Sequence, residues 1–175
     1  FTINGSSVDS GILGGAVITE LVILNGTIRN FDFGVNSQGS RSRVERINAI
    51  HNNIDGVLVG FDCIVTNSIA SANGRDGIAG GGDCVISNNI ANGVQVDGFD
   101  LNGRNDIFNN TANGSLGDGI RAGQGSNISN SIANGNDGDG IEVTCPSNLV
   151  GNTMQGNGVN LNQIGAGCKR YNNLF

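Results

Sequence analysis

Five aspartates recur at one fixed interval in the middle of this 175-residue chain. Each precedes a glycine and lies 21 residues after the one before: Asp55, Asp76, Asp97, Asp118 and Asp139. A line of like charges must be solvated, hydrogen-bonded or bridged by cations, so this column is the candidate calcium site. The alternative is structural, because Asp-Gly is a common turn signature in which the carboxylate accepts a hydrogen bond from its own turn and the glycine takes positive φ. We favour the turn.

Other side chains suited to acid and base chemistry are scattered. His51 falls in a column where the following repeats carry Ala or Gly, which places it on an exposed turn where it could act as a base. The remaining departures from the repeat fall in different columns: Glu45, Arg46, Arg75, Asp100, Arg104, Asp106 and Glu142. No carboxylate pair stands out as in a glycosidase, and no nucleophile motif such as Gly-x-Ser-x-Gly occurs. The sequence therefore assigns no catalytic residue and favours a non-enzymatic protein.

The same 21-residue interval organises the apolar residues that must position these groups. Within a repeat, apolar residues alternate with polar ones, as in residues 65–69, which is the period of a strand and not of a helix. Tight turns rich in Asn, Gly, Asp and Ser leave no room for a crossover helix. The sequence therefore predicts stacked short strands. Three columns carry the pattern: Ile23, Val44, Val65, Ile86, Ile107, Ile128 and Leu149; Ile78, Phe99, Ile120 and Ile141; and the small residues Ala49, Ala70, Ala91, Ala112 and Ala133.

This repeat resembles that of the right-handed parallel β-helix family, the fold of pectate-lyase-like proteins. Residues 128–141 read Ile-Ser-Asn-Ser-Ile-Ala-Asn-Gly-Asn-Asp-Gly-Asp-Gly-Ile, and a similar line recurs in every coil from 44 to 148. The resemblance implies one all-β domain over residues 1–175, a single-stranded right-handed parallel β-helix of about seven to eight coils. Residues 1–43 would form irregular first coils, 44–148 the regular repeats, and 149–175 the last coil and C-terminal segment.

The resemblance is specific for fold and not for function. Enzymes of this fold that act on acidic polysaccharides generally set carboxylates, for calcium or for acid and base chemistry, beside an Arg or Lys on one outward face. A polysaccharide-active enzyme, whether lyase, hydrolase or epimerase, or a fragment of one, is therefore the alternative function.

A further column consists of asparagines: Asn67, Asn88, Asn109 and Asn130. Continuous alternation with Val65 and Ile69 places this column on the inward face. Amides stacked at strand spacing can bond to each other and to backbone carbonyls. We therefore expect a structural asparagine ladder inside the solenoid.

The four cysteines fit the stacked fold as two pairs. Cys63 and Cys84 share one column, and Cys145 and Cys168 are one coil plus two residues apart. Stacked Cα atoms about 4.8 Å apart suit disulfides, so of the three pairings we expect these two. The alternative is buried thiols. Disulfides would place the protein outside the cell, at the cell surface or in the periplasm. Zinc is not expected, because no Cys-x-x-Cys occurs and His51 is the only histidine.

Charge and hydropathy exclude two classes of partner. The chain carries 15 acidic residues against nine Lys and Arg, for a formal net charge of −6. An acidic middle argues against nucleic acid, which needs a basic track. No apolar run reaches the length of a membrane span.

The two ends of the chain show no amphipathic capping helix. Residues 16–24 are rich in β-formers, and the segment 169–175 is short. Exposed strand edges pair with other chains, so we expect self-association through the ends and growth into a head-to-tail filament. A piece of a longer solenoid would have the same open ends. The favoured function is an extracellular structural or adhesive β-solenoid, with no cofactor except calcium and with polysaccharide as the other candidate partner.

Overall fold

Each regular 21-residue repeat forms three short strands joined by tight turns. In a computed structural model that describes residues 1–6 and 8–175, these strands stack coil on coil into a right-handed parallel β-helix of about eight turns. Every strand pairing among the described residues is parallel, and paired residues in the regular part are 21 apart, as with Ile86 and Ile107. The described residues contain no helix. The all-β solenoid predicted from the repeat is confirmed.

The strands form two sheets, numbered here in chain order. The smaller sheet has eight strands: β2 (Ser10–Gly14), β4 (Phe33–Ser37), β6 (Val57–Val59), β9 (Ile78–Gly80), β12 (Phe99–Leu101), β15 (Ile120–Ala122), β18 (Asp139–Thr144) and β21 (Val159–Ile164). The larger sheet has fourteen: β1 (Thr2–Asn4), β3 (Val22–Arg29), β5 (Arg43–Ile50), β7 (Ile64–Thr66), β8 (Ile69–Ser71), β10 (Val85–Ser87), β11 (Ile90–Asn92), β13 (Asp106–Phe108), β14 (Thr111–Asn113), β16 (Asn127–Ser129), β17 (Ile132–Asn134), β19 (Asn148–Val150), β20 (Thr153–Gln155) and β22 (Lys169–Tyr171).

The core is the interior of the solenoid, and the three predicted apolar columns line it. All members of these columns are buried, including Phe99, the largest. The alanine column is narrow because glycine backbone lies against it: a Cβ on Gly98 would lie 2.9 Å from the Cβ of Ala112. No described helix is long and apolar enough to cross a membrane.

Polar ladders fill the corners where strands turn. At the corner between β10 and β11, the amide N–H of Asn89 donates to Asn110 Oδ1 at 3.0 Å, and Asn110 Nδ2 donates to the carbonyl of Ile86 at 2.8 Å. The same bond recurs along the solenoid, so each buried side chain satisfies backbone groups of a neighbouring coil. The ladder at this corner contains Ser68, Asn89, Asn110, Ser131, Asn152 and Asn173.

The predicted asparagine column lies one residue away from this ladder and on the outside. Asn67, Asn88, Asn109 and Asn130 are exposed, with φ between 49° and 57°. A left-handed residue between two strands interrupts the alternation, so Ile69 faces outward as well. The expected inward placement of this column was wrong, because the period of two does not continue through a turn.

One disulfide is present, and it joins neighbouring coils. Cys145, after β18, is bonded to Cys168, before β22, with Cα atoms 5.0 Å apart. The expected second disulfide, between Cys63 and Cys84, is not formed. Both residues are free, buried thiols. Their column is another corner ladder: the amide of Cys63 donates to Cys84 Sγ at 3.3 Å, and the amide of Cys84 donates to Asn105 Oδ1 at 2.9 Å. The thiols therefore take the acceptor position that asparagine and serine take in later coils.

We predict that Asn110→Ala lowers the free energy of unfolding by about 2 to 4 kcal/mol, because it leaves two buried backbone groups of the preceding coil, the N–H of Asn89 and the carbonyl of Ile86, without partners. Urea unfolding measures the change. The matched control is Asn109→Gly, which alters the adjacent exposed position and keeps a residue suited to its φ of 57°. Equal losses in the two variants would contradict the role of the ladder.

Candidate functional site

The outer face of the smaller sheet carries one residue per strand in exact register. The middle residue of each regular strand points away from the core, because its neighbours on both sides are buried. Along the solenoid this outer column changes from apolar to charged to amide. Its members, each paired with the next, are Leu58, Ala79, Asp100, Arg121, Glu142 and Asn162.

Arg121 connects the charged part of the outer column. Its Nε donates to Glu142 Oε1 at 3.1 Å, and its Nη1 lies 3.9 Å from Asp100 Oδ1 and 4.0 Å from Asp97 Oδ2. Asn162 donates to the other oxygen of Glu142 at 3.2 Å. The negative charges of Asp100 and then Glu142 raise the pKa of Arg121, so the guanidinium remains charged.

Two adjoining cavities lie above this column, and together we name them the outer groove. The first, of about 200 Å³, is lined by Asp100, Arg121, Glu142 and Thr144 among others. The second, of about 380 Å³, lies over Leu58 and the next coils. Asp100 and Asn102 line both, so the groove is continuous along the axis of the solenoid.

The aspartate column borders the outer groove, and its carboxylates are engaged with the backbone. Asp55 Oδ1 accepts the amide N–H of Asp76 at 3.2 Å, and Asp97 Oδ1 accepts that of Asp118 at 2.7 Å. The same bond joins the other members from Asp76 to Asp139. The carboxylates do accept backbone hydrogen bonds, but the expected donor in the residue's own turn was wrong, because the donor belongs to the next coil.

The glycine after each aspartate serves packing and not turn geometry. These glycines are absent from the described residues with positive φ. A Cβ on Gly98 would lie 2.5 Å from the carbonyl oxygen of Gly119 in the next coil. Only glycine allows the coils to approach this closely, so the expected positive φ at this position was wrong.

Burial is the main influence on the ionisation of the column. Desolvation raises the pKa of Asp55, Asp76 and Asp118, and it raises the pKa of Asp97 to about 6. Arg75 opposes the effect at one end: it contacts Asp55 at 2.6 and 2.9 Å and Asp76 at 3.1 Å. The centre of the column, where Asp97 lies, therefore holds a proton most readily near neutral pH.

One group of carboxylates in the described part of the chain has the spacing of metal ligands. Oxygens of Asp118, Asp139 and Glu142 lie within 4.8 Å of one another. These three residues, at the boundary between the aspartate column and the outer groove, are the ones that could hold a divalent cation. The five-residue column proposed from sequence is not an array of free ligands, since backbone amides occupy one oxygen of most of its members.

The remaining sequence candidates lie apart from the outer groove. His51 is exposed on a turn with φ of 55° and lines another cavity, beside Asn52 and Gln95. Glu45 is buried on the larger sheet between Arg43 and Arg46. Arg104 forms an ion pair with Asp83, and Asp106 accepts a hydrogen bond from the side chain of Asn127.

The structure brings together residues that the sequence analysis treated as scattered. Asp100, Arg121 and Glu142 are 21 residues apart, yet only the first and last were singled out, and as members of different columns. Their chemical types differ, so a search for identical residues at the repeat interval overlooks them. A comparison of the residues at the middle position of successive strands would have identified the group.

Neither a scan against protein-family models nor a search of curated proteins finds a match. Solved structures with the same fold include a mutant of the periplasmic alginate epimerase AlgG (TM-score 0.77, 14% identity), AlgG itself (0.67, 13%) and the A-module of the mannuronan C-5 epimerase AlgE4 of Azotobacter vinelandii (0.61, 15%). They match 89%, 89% and 87% of this chain, which in turn covers 45%, 43% and 62% of theirs. The chain thus spans less than half the length of the AlgG structures. At these identities the similarity establishes the fold alone.

We predict that the protein becomes more stable as the pH falls from 7 towards 4. The pKa of Asp97, raised to about 6 by burial, means that the folded state binds this proton more tightly than the unfolded state. The stabilisation is complete below the unfolded pKa, near 4, and is lost as the pH rises through about 6.

Asp97→Asn keeps the acceptor for the amide of Asp118 and removes the charge. We expect it to raise the free energy of unfolding at pH 7 by about 1 to 3 kcal/mol and to flatten its dependence on pH. Urea unfolding from pH 4 to pH 8 measures both, with Asp62→Asn, at an exposed turn, as the control. An unchanged pH profile in Asp97→Asn would contradict the assignment.

Proposed function

We propose that this chain is a polysaccharide-active β-helix whose site is the outer groove. The observation that supports it is the convergence of Asp100, Arg121 and Glu142 on adjacent strands beneath one cavity. A long groove with few convergent charged groups suits an extended polymer better than a compact ligand. The structural neighbours are described as epimerases of alginate or mannuronan, which are polysaccharides, and this agrees with the proposal.

The reaction that these groups support best is hydrolysis of a glycosidic bond. Asp100 and Glu142 lie two strands apart, so their Cα atoms are about 9.5 Å from each other. Glycosidases use two carboxyl groups, and in the inverting enzymes the carboxyl groups themselves are about 6.5 to 9.5 Å apart, which admits a water molecule. Side chains that start two strand spacings apart can reach a separation in this range. Arg121 lies between the two and contacts both.

The contacts of each carboxylate suggest its role. Glu142 receives hydrogen bonds on both oxygens, from Arg121 and Asn162, which hold it in place to accept a proton from water. Asp100 lies on the other side of Arg121 and, as the remaining carboxyl group of the pair, is assigned to protonate the leaving oxygen. Both are reachable from the groove.

The proposal includes a location outside the cytoplasm. The disulfide between Cys145 and Cys168 is typical of extracellular or periplasmic proteins. AlgG, which shares the fold, is described as periplasmic. We propose a periplasmic or extracellular site of action.

A second candidate function is assembly end to end, as favoured from the sequence. Exposed apolar side chains near both ends of the solenoid support it. These are Leu13 and Val17 near one end and Val159 and Ile164 near the other. Coils that carry such residues can pair with the edge of a second copy.

We predict that Glu142→Gln and Asp100→Asn each lower the rate of polysaccharide hydrolysis at least about 100-fold, because each removes a proton-transfer group. Release of reducing ends from a panel of polysaccharides measures the rate. Asp106→Asn, on the larger sheet, is the matched control and should retain activity. Absence of hydrolysis by the unaltered chain on every polymer would contradict the proposed reaction.

For the second candidate, we predict that the molar mass in solution rises with protein concentration. A double variant, Val17→Lys with Val159→Lys, should remain a monomer, because burying a charged lysine in an apolar contact at either end is unfavourable. Light scattering coupled to size exclusion measures the mass. Ile132→Lys, on the side of the solenoid, is the control and should still associate. A monomer at every concentration for the unaltered chain rules this candidate out.

A further inference from the structure

The cations of the outer groove are already paired with carboxylates of the same chain. Arg75 and Arg121 are the two cationic residues that line its two cavities in the described structure. Arg75 contacts Asp55 and Asp76, and Arg121 contacts Asp97, Asp100 and Glu142. The positive charge of each guanidinium is thus already offset by carboxylates of the same chain, which weakens its attraction for a carboxylate of a bound sugar.

The charge around the groove is strongly negative. Two carboxylates, Asp100 and Glu142, line the groove with the two arginines, and the buried or half-buried carboxylates of the aspartate column lie beside it: Asp55, Asp76, Asp97, Asp118 and Asp139. A polyuronate carries a carboxylate on every sugar and would be repelled by this excess of negative charge. A polymer without charge meets no such penalty.

The other end of the groove is apolar and carries an aromatic ring. Leu58, Ala79 and Gly80 form its floor, and Phe61 at the rim is 58% exposed. Gly81 lies against this ring, since a Cβ there would be 3.1 Å from Phe61 Cδ1. Because Gly81 has no side chain, one face of the Phe61 ring packs against the backbone of the next coil. The other face is exposed to solvent.

Amide groups accompany the ring and could serve sugar hydroxyls. Gln38 and Asn102 line the same cavity as Phe61. Asn102 contacts the carbonyl of Gly80 at 3.4 Å, which leaves its own oxygen available as an acceptor. An apolar surface with a few uncharged polar groups is the usual composition of a site for a neutral ligand.

We propose that the outer groove binds an uncharged polysaccharide, with Phe61 as the platform on which one sugar ring stacks. Leu58, on the same coil as Phe61, is two coil spacings from Asp100, or about 9.5 Å. The platform thus forms a binding subsite to one side of the carboxylates. This inference rests on the proposed function and deepens it by naming the substrate class and a residue that selects it.

The test compares the binding of the purified chain to soluble polysaccharides of two classes. The neutral probes are a mannan and a mixed-linkage glucan, and the anionic probes are alginate and polygalacturonate. Affinity electrophoresis is run in EDTA and again with calcium. We expect at least one neutral polymer to bind at least 10-fold more tightly than either polyuronate in EDTA.

Variants at the platform separate stacking from general damage to the fold. Phe61→Ala should weaken binding of the neutral polymer at least 5-fold, and Phe61→Tyr should restore it, because tyrosine keeps the ring. Phe108→Ala, which removes a ring from the larger sheet, is the matched control and should bind as the unaltered chain does.

The outcomes distinguish the two levels of the proposal. Failure to bind any of the four polymers overturns both the proposed function and this inference. Polyuronate binding in EDTA that equals neutral binding, and that Phe61→Ala leaves unchanged, overturns the inference alone. Polyuronate binding that needs calcium and is lost in Glu142→Gln also overturns it, in favour of a cation-bridged anionic substrate.

Discussion

The fold depends on satisfying backbone groups where the coils turn inside the solenoid. Strand amides pair with neighbouring coils, but those at the corners need a side chain, and a buried unpaired amide is costly. Side chains one coil away supply it, with asparagine, serine or, at Cys84, a thiol as the acceptor. The requirement fixes the 21-residue interval. One ladder is interrupted at Val94, a buried side chain that cannot accept a hydrogen bond.

The regular core also explains how charged side chains can be introduced on the surface of so repetitive a fold. In the regular three-residue strands of the smaller sheet, the middle residue points outward, so its type can change from Leu58 to Asp100 to Arg121 without disturbing the stack. The buried aspartates beside it are fixed by backbone amides. Burial raises the pKa of Asp97, whereas the charges of Asp100 and Glu142 in the outer column raise the pKa of Arg121.

Sequence periodicity was sufficient for the fold and insufficient for the site. The apolar columns and the period of two predicted the strands correctly, and they also predicted that Val65 faces the core. The same period failed at Asn67, because one left-handed residue reverses the side on which the next strand's side chains lie. The pairing of Cys63 with Cys84 was inferred from spacing alone, which cannot tell a disulfide from a ladder acceptor. The grouping of Asp100, Arg121 and Glu142 was missed because a site on a repeat is a departure in residue type, and its members can be aligned only once the outward position of each strand is known.

The most direct measurement is a crystal structure of the Glu142→Gln variant with a bound neutral oligosaccharide. We predict that the sugar chain lies along the axis of the solenoid over the smaller sheet, with one ring on Phe61 and a glycosidic oxygen between Asp100 and the glutamine at position 142. An oligosaccharide bound over the larger sheet, or at the terminal coils, would contradict the assignment of the outer groove as the functional site.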